Sequence, residues 1–380
     1  MRIGVYTLSF LTCANCDMKF PEEEPRWRCE CGGTLDIEVQ NIFPRKLLSS
    51  RSSDLWRYQE SIPLKNIENK ISLGEGMTPM KTFPFENIQI HCKLDFLFPT
   101  GSFKDRGSTV LASKLKEWNI KKVLGDSSGN AAASIAAYTS LAGIECDMYV
   151  PTSTSNIKCI QISALGANLK RISGPRQSTT DAAMKEAVYC FYASHFWNCW
   201  FNHGTKTWAF ELWEQMDQTI PDSVIVPVGH GSLVIGAYKG FKELMDAGYS
   251  NKLPKIYGIQ TKNCAPLIRI WDKKLKIIPE IKTIPSLADG ISVSKPIRWK
   301  QILDAIHETD GELFSVAEDG IELILKHFAN QGVLMEPTSA IPFLGVKELL
   351  RSNKISKKDI IAVPVTGSGL KTPEKLQQFF

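Results

Sequence analysis

Short apolar runs rich in β-branched residues recur along the chain, and stretches of helical composition follow them. Five such runs predict β-strands, at residues 122–125, 146–151, 223–228, 255–260 and 359–365. The Ala-rich stretch 131–142, which follows the first run after a turn, predicts a helix. Because strands buried on both faces read as continuous apolar runs with helices between them, this pattern predicts an α/β fold with parallel sheets.

The length and charge of the chain fit a globular enzyme. With 380 residues, 43% of them apolar and 22% charged, it can bury more than one hydrophobic core. The net charge of +5 is small, and no block of Lys and Arg marks a nucleic-acid-binding surface. No apolar run reaches membrane-spanning length, and the first 11 residues do not form a signal peptide. We expect a cytoplasmic protein without nucleic-acid or membrane partners.

Four of the ten cysteines cluster early in the chain, as Cys13-x-x-Cys16 and as Cys29-x-Cys31 followed by two glycines. Two such pairs on tight turns can bring four thiolates together, as tetrahedral Zn²⁺ requires. The second pair is tighter than the usual C-x-x-C spacing. The cluster favours a structural zinc site over four free cysteines, and we expect the other six cysteines to pack in the core.

Segment 99–107, Pro-Thr-Gly-Ser-Phe-Lys-Asp-Arg-Gly, places Lys104 just past a Gly-Ser turn. A helical stretch begins near Ser108. A lysine amine held by short backbone turns is suited to bond covalently to an aldehyde, because such a nucleophile needs a fixed direction and a shifted pKa. Taken alone, the segment also fits a solvated lysine at a helix start.

Three strand ends carry polar or glycine residues, at positions 126–130, 227–233 and 364–371. Asp-Ser-Ser-Gly-Asn in the first can bind an anion at a helix start, or simply cap the helix. In the second, Gly229 and Gly231 let backbone amides surround a phosphate, but Val234 stands where a dinucleotide loop needs its third glycine. The loop therefore suits one phosphate. The third presents hydroxyls at the carboxyl end of a strand, where doubly wound sheets bind ligands.

Two other features carry weaker functional signals. Lys206 lies in Gly-Thr-Lys-Thr, which lacks the glycine spacing of a P-loop. His195 and His203 lie among Phe and Trp residues, and such an aromatic cluster is more typical of a core or a subunit interface than of a ligand set.

The lysine segment, the Ser-Ser-Gly-Asn turn, the glycine loop and the C-terminal Thr-Gly-Ser-Gly follow one another in an order that resembles the fold-type-II pyridoxal-phosphate (PLP) enzymes. The resemblance is strongest to the threonine synthases and runs from Cys13 to Lys371. Further matching stretches lie at residues 204–207, 288–291 and 336–340. The resemblance implies a tryptophan-synthase-β-like fold, in which PLP lies between two α/β domains and a small N-terminal zinc ribbon precedes them.

The same resemblance implies a division of the chain into domains. Residues 1–40 would form the zinc-ribbon-like segment, and residues 41–95 an entry segment with the first part of the large domain. Residues 96–210 would form the small domain, inserted into the large domain that residues 211–380 complete. A homodimer is also implied by the resemblance.

Carried over residue by residue, the resemblance implies roles in binding the cofactor. Lys104 would hold PLP covalently and then move protons at the substrate Cα and Cβ. Asn130 would contact the ring hydroxyl of the cofactor, and Thr366 would hydrogen-bond its pyridine nitrogen. The cofactor phosphate would be held by backbone amides of Gly229, His230, Gly231, Ser232 and Leu233.

The resemblance also implies roles toward an amino-acid substrate. Ser127, Ser128 and Gly129 would bind its carboxylate. A leaving phosphate would need basic groups, and the candidates are Lys158, Arg176, Lys206 and Arg106, each of which also fits a surface charge.

The reaction that the resemblance implies is that of a carbon–oxygen lyase, in which O-phosphohomoserine and water give threonine and phosphate. Four positions depart from the threonine synthase pattern, namely Phe98, Ala131, His230 and Ser232. Ala131 stands where a substrate-binding threonine is common. A related PLP enzyme that catalyses β-replacement (cysteate synthase-like) or deaminates threonine or serine is therefore an alternative, and a non-catalytic homologue that binds a ligand or partner is a third.

Overall fold

The computed structural model describes residues 9–39, 42–174 and 176–380. The first of these ranges folds into a small antiparallel sheet of order β2-β1-β3. Its strands are β1 Phe10–Cys13, β2 Lys19–Pro21 and β3 Leu35–Ile37. In β1, Leu11 pairs with Phe20 on one side and with Ile37 on the other, and the three side chains form one buried cluster. We call residues 9–37 the cysteine ribbon, because it contains the four clustered cysteines, of which Cys13 is the last residue of β1.

A six-stranded sheet of order β12-β11-β10-β13-β5-β4 forms the larger layer. Its strands are β4 Met80–Phe85, β5 Ile88–Lys93, β10 Ser223–Pro227, β11 Lys255–Thr261, β12 Glu312–Val316 and β13 Ile361–Pro364. All neighbours are parallel except β4, which forms a hairpin with β5. Every residue of β10 is buried, as expected for a strand with helices on both faces.

A second, wholly parallel sheet has the order β8-β7-β6-β9. Its strands are β6 Lys122–Gly125, β7 Glu145–Pro151, β8 Asn168–Ile172 and β9 Phe191–Tyr192. Val123, Cys146, Met148 and Val150 on the central strands pack into a core that is separate from the core of the six-stranded sheet. The two sheets therefore belong to two packed units.

Helices cover the faces of both sheets. In the described part of the chain they are α1 Lys104–Glu117, α2 Asn130–Leu141, α3 Asn156–Ala164, α4 Arg176–Glu186, α5 Cys199–Thr205, α6 Thr207–Gln215, α7 Ser232–Asp246, α8 Pro266–Lys273, α9 Trp299–Glu308, α10 Ile321–Ala329, α11 Pro337–Arg351 and α12 Pro373–Leu376. Across residues 9–39, 42–174 and 176–380, none of these helices combines the length and apolar character that a membrane span requires.

Helices α1 and α5 approach each other unusually closely. A Cβ added to Gly204 would lie 1.9 Å from the carbonyl oxygen of Arg106, and one added to Gly107 would lie 2.3 Å from the Phe201 ring. Only glycine permits a backbone contact of this kind, since a real Cβ does not come so near an oxygen. The approach fixes the helix that begins at Lys104 against the aromatic segment that precedes α6.

A buried ionic cluster joins α1 to the six-stranded sheet. Arg106 donates to both Asp95 oxygens at 2.8 Å and to Glu211 at 2.6 and 2.9 Å, and none of the three side chains is exposed. Lys93, also unexposed, adds a second cation 2.6 Å from Glu211. Charges removed from water this completely are tolerated because each has several partners.

The observed elements confirm the α/β fold class with parallel sheets. Each of the five predicted strands is present, as β6, β7, β10, β11 and β13, and the Ala-rich stretch forms α2. Helix α1 begins at Lys104 itself, four residues earlier than the sequence indicated.

Candidate active site

A cavity of about 590 Å³ opens where strands of both sheets end. The segments that follow β6, β10 and β13 all line it, together with the start of α1. Its volume is that of a typical cofactor or substrate pocket. Apart from the candidate phosphate-binding cations Arg106 and Lys206, the residues to which the sequence assigned a cofactor or substrate role line this cavity: Lys104, Ser127, Ser128, Gly129, Asn130, Lys158, Arg176, Gly229, His230, Gly231, Ser232, Leu233 and Thr366.

Lys104 contributes an amine to the cavity from the first position of α1. Its Nζ lies 4.5 Å from the centre of the Phe103 ring and 5.7 Å from that of Phe201. Burial lowers the pKa of Lys104 to about 7, although the negative charge of Glu336 acts in the opposite direction. A large share of the amine is thus neutral, and nucleophilic, near neutral pH.

Backbone hydrogen bonds hold the lysine segment against the C-terminal segment 366–368. The Phe103 amide donates to the Thr366 carbonyl at 2.9 Å, and the Ser368 amide donates to the Gly101 carbonyl at 2.9 Å. Gly101 has a φ of +77°, which favours glycine at this turn. Lys104 and Thr366 therefore hold fixed positions relative to each other.

Two polar pairs complete this side of the cavity. The side-chain amide of Asn130 donates to the two Glu336 carboxylate oxygens at 2.9 and 3.2 Å. The hydroxyl oxygens of Ser339 and Thr366 are 2.9 Å apart. Burial raises the pKa of Glu336, while the hydrogen bonds from Asn130 act against that rise. Glu336 and Ser339 belong to the matching stretch 336–340, but the sequence gave neither of them a role.

The glycine loop leads directly into the start of α7. Gly231 is the residue before the helix and has a φ of +82°, and Ser232 is the first helical residue. The first amides of a 15-residue helix lack intrahelical partners and carry partial positive charge. This end of the cavity is thus suited to a phosphate group.

The candidate cations fall into two groups. Lys158 and Arg176 line the cavity, where Lys158 is paired with Asp289 at 2.6 Å and Arg176 with Asp126 at 3.0 Å. Arg106 and Lys206 do not line it. Arg106 belongs to the buried ionic cluster, and Lys206 is buried 2.7 Å from Glu243.

The two histidines of the aromatic stretch have different surroundings. His203 is buried in α5, and its Nε2 lies 3.1 Å from the carbonyl oxygen of Ile37 in the cysteine ribbon. His195 lines the cavity beside Phe196 and Trp197. Sequence reasoning missed this contribution of His195, because nothing in its local pattern separates a cavity wall from a core.

The four clustered cysteines bring their sulfurs together. All four Sγ atoms lie within 4.8 Å of one another, and the Cys13–Cys31 and Cys16–Cys29 pairs are 3.5 and 3.6 Å apart. Tetrahedral Zn–S bonds of about 2.3 Å require sulfurs about 3.8 Å apart. None of the cysteines forms a disulfide, so the thiols are available to a metal ion.

Comparison with known proteins defines the class. The model of the family described as "Pyridoxal-phosphate dependent enzyme" matches residues 71–367, the part of the chain that contains the six-stranded and four-stranded sheets and nearly all residues that line the cavity. The chain belongs to this family and is a PLP-dependent enzyme, as the sequence predicted.

Within the family, its relatives include threonine synthases. The threonine synthase of Methanocaldococcus jannaschii is 32% identical over 377 residues, which cover 95% of this chain and 93% of that protein. That of a Bacillus species is 31% identical over 333 residues, which cover 84% of this chain and 90% of that protein.

Solved structures share the fold. Threonine deaminase isoform 2 from Solanum lycopersicum gives a TM-score of 0.70 at 20% identity, covering 87% of this chain and 94% of that chain. Maize serine racemase gives a TM-score of 0.67 at 20% identity, covering 86% of this chain and 97% of that chain. These similarities confirm the fold-type-II architecture.

The cavity fits the cofactor of this family. Lys104 offers an amine of lowered pKa to its aldehyde, and the start of α7 offers unpaired amides to its phosphate. When bound, PLP supplies the electron sink that allows bonds at the substrate Cα to break.

Proposed function

We propose that this protein is a threonine synthase, which converts O-phosphohomoserine and water to threonine and phosphate. The observation that carries the proposal is the similarity to threonine synthases over 95% of the chain. The cavity supports it, since its lysine, carboxylate-binding turn, phosphate loop and cations are the groups that this reaction needs.

Lys104 is the proton carrier in this proposal. Its amine takes protons from Cα and Cβ of the substrate and returns protons to carbon. Its lowered pKa supports the role, because a general base works best when its pKa lies near the operating pH.

The start of α2 would hold the substrate carboxylate. Ser127, Ser128 and Gly129 precede this 12-residue helix and line the cavity. Lys158 and Arg176 would attract the phosphate group of the substrate. Each is paired with one carboxylate and so keeps hydrogen-bond donors for a second anion.

Thr366 would contact the pyridine nitrogen of the cofactor, and Asn130 its ring hydroxyl. A neutral hydroxyl does not enforce protonation of the pyridine as an aspartate would, and the ring is then a weaker electron sink. Elimination and replacement depend less on such stabilisation than transamination does.

An alternative is a PLP enzyme that performs β-replacement or deaminates threonine or serine. Ala131 favours it, because this residue lies at the first turn of α2, lines the cavity and offers only a methyl group. A non-catalytic homologue is disfavoured, because Lys104, Asn130 and Thr366 all line one cavity.

The test is an absorption spectrum of the PLP-loaded protein, followed by addition of O-phosphohomoserine with phosphate and threonine measured. We expect a visible cofactor band that Lys104→Ala abolishes, phosphate release, and threonine formed in equal amount. A cofactor band without phosphate release would transfer the proposal to the replacement or deaminating enzymes. Absence of the band would contradict the proposal that the protein acts as a PLP-dependent enzyme.

We also propose that the cysteine ribbon holds one structural Zn²⁺ through Cys13, Cys16, Cys29 and Cys31, that the enzyme is a homodimer, and that it is cytoplasmic. The sulfur distances support the first, and ten free thiols suit a reducing compartment. Metal analysis tests the bound ion, and sedimentation equilibrium tests the dimer.

Residues 96–210 would be the small domain, because all strands of the four-stranded sheet lie within them.

A further inference from the structure

One wall of the cavity is built from imidazole and phenyl rings whose side chains have no role in the proposal above. The ring of His230 stacks on that of Phe196, with centroids 3.8 Å apart and planes 7° from parallel. His195 stands edge-on to His230, with centroids 5.4 Å apart. We call His195, Phe196 and His230 the imidazole wall; all three residues line the cavity.

The positive charges of Lys104 and Arg176 act on both histidines of the imidazole wall. Burial, followed by the positive charges of Lys104 and Arg176, lowers the pKa of His230 to about 3. Burial, Lys104, His230 and Arg176 lower the pKa of His195 well below its usual range. The other charged side chains that line the cavity are Lys158, Asp289, Lys295, Glu336 and Lys371.

The wall has hydrogen-bonding capacity that the described part of the protein does not use. The Nδ1 atom of His230 is buried without a hydrogen-bond partner among the residues of the described ranges. A buried nitrogen without a partner costs free energy, and such atoms in an active site point to a bound group or to a catalytic role.

The proposed reaction needs a proton donor at the phosphate. Protons are released from Cα, from Cβ and from the attacking water, and two of them return to carbon, at Cγ and Cα. The remaining proton must leave on the phosphate. A phosphate monoester is dianionic near neutral pH, so its C–O bond breaks to give HPO₄²⁻ only if a proton reaches the bridging oxygen.

We propose that His195 and His230 form the subsite for the phosphate group of the substrate, and that His230 donates the proton to the oxygen that leaves carbon. The inference rests on the proposed function. A dianionic phosphate beside these imidazoles would add negative charge that favours a protonated imidazole, against the burial and the positive charges that keep the empty wall neutral.

Other groups in the cavity are less suited to this step. Lys104 has to accept protons from carbon and cannot donate one to the leaving oxygen at the same moment. The guanidinium of Arg176 does not release its proton in proteins. Lys158 is held in an ion pair 2.6 Å from Asp289. Histidine has an ordinary pKa near neutrality, so it can donate a proton there and take one up again.

The experiment compares two substrates in the PLP-loaded wild type and in His230→Asn, which keeps hydrogen-bonding atoms but does not titrate. Vinylglycine has no phosphate and gives threonine by net addition of water, so it bypasses departure of the leaving group. For His230→Asn we expect kcat with O-phosphohomoserine to fall by about 100-fold or more, and kcat with vinylglycine to stay within about threefold. The fall in wild-type kcat as pH rises through the pKa of the bound imidazole should disappear.

Equal losses with both substrates, or no loss with either, would overturn the inference. His307→Asn, an exposed histidine outside the cavity, is the matched control. The visible cofactor band is recorded for each variant, because His230 lies in the phosphate loop.

A separate titration keeps this inference distinct from the proposed function. Inorganic phosphate is added to the PLP-loaded protein while imidazole NMR signals are followed, with His195→Gln and His230→Asn used for assignment. If wild type does not release phosphate from O-phosphohomoserine, the proposed function fails. Shifts of the His195 and His230 signals would then still support a phosphate subsite, and their absence would overturn it.

Discussion

Lys104 owes its reactivity to its surroundings rather than to its chemical identity. An exposed lysine has a pKa near 10.4, and its amine is almost wholly protonated at pH 7. Enclosure beside Phe103 and Phe201, with no carboxylate bonded to the amine in the described residues, lowers this value to about 7. The hydrocarbon rings that exclude water thus help to produce the nucleophile.

The lowered pKa predicts how the cofactor-free protein combines with PLP. Only the neutral amine attacks the aldehyde, so the rate of combination should rise with pH up to about 7 and level off above it. Stopped-flow absorbance between pH 5.5 and 10 measures this rate, with Lys104→Ala as the control for reaction at surface lysines. A rate that keeps rising toward pH 10 would contradict the assigned pKa.

Local sequence revealed the residues whose role depends on their immediate neighbours. The Gly-Ser turn before Lys104 and the glycines on either side of His230 belong to short contiguous motifs, which the sequence alone identifies. The imidazole wall was not visible, because His195 and His230 are brought together only when segments from the two sheets meet at the cavity.

At the scale of elements, the contact between α1 and α5 depends on a missing side chain. Gly204→Ala places a methyl carbon against backbone, at 1.9 Å from the Arg106 carbonyl oxygen, and no side-chain rotation relieves it. We expect the free energy of unfolding to fall by about 1–3 kcal/mol or more. Urea denaturation measures the change, and an unaltered midpoint would show that the helices separate without cost.

The buried ionic cluster also ties elements together. Arg106→Met removes the ion pair of Asp95 seen in the described ranges and leaves Glu211 paired with Lys93. A loss of about 3–5 kcal/mol in unfolding free energy is expected, because a buried carboxylate without its partner is strongly unfavourable. Arg351→Met removes an exposed pair with Glu348 and should change stability by less than about 0.5 kcal/mol.

Elements with a strong apolar signal were predictable, and elements with a weak signal were not. Strand β8, Asn168–Ile172, lies at a sheet edge and has no fully buried residue, so its sequence lacks the apolar run that predicts a strand. The β4–β5 hairpin turns at Glu86 and Asn87, both with positive φ, and only the asparagine hints at such a turn. Tertiary pairing, rather than local preference, defines these strands.

At the scale of the whole molecule, Arg298 connects the cysteine ribbon to the active site. Its guanidinium donates to the Leu35 carbonyl of the ribbon at 2.9 Å and to the Phe196 carbonyl of the imidazole wall at 2.8 Å. The side chain is buried, so these contacts form in a low-dielectric setting where they are strong. The ribbon therefore supports the segment that carries His195 and Phe196.

This connection predicts an effect of metal removal on the cofactor site. If the cysteine ribbon holds Zn²⁺ as proposed, chelation of the ion, or Cys16→Ser, should lower the melting temperature and change the visible circular dichroism of bound PLP, because β3 and Arg298 lose their fixed position. Metal analysis of each sample accompanies the spectra. Cys190→Ser lies outside the four-sulfur cluster and should keep both metal and spectrum. A metal-free protein with an unchanged cofactor spectrum would contradict the link.

The backbone pairing between segment 101–103 and segment 366–368 has a consequence for biosynthesis. A ribosome makes the reactive lysine early, and chains generally begin to fold from the N-terminal side during translation. Thr366 and Ser368, which hold the lysine segment in register, are synthesised long after Lys104. Nascent chains that do not yet contain Thr366 and Ser368 therefore cannot assemble the complete cofactor site, and we expect premature capture of cellular aldehydes by Lys104 to be limited until β13 and the segment after it have been added.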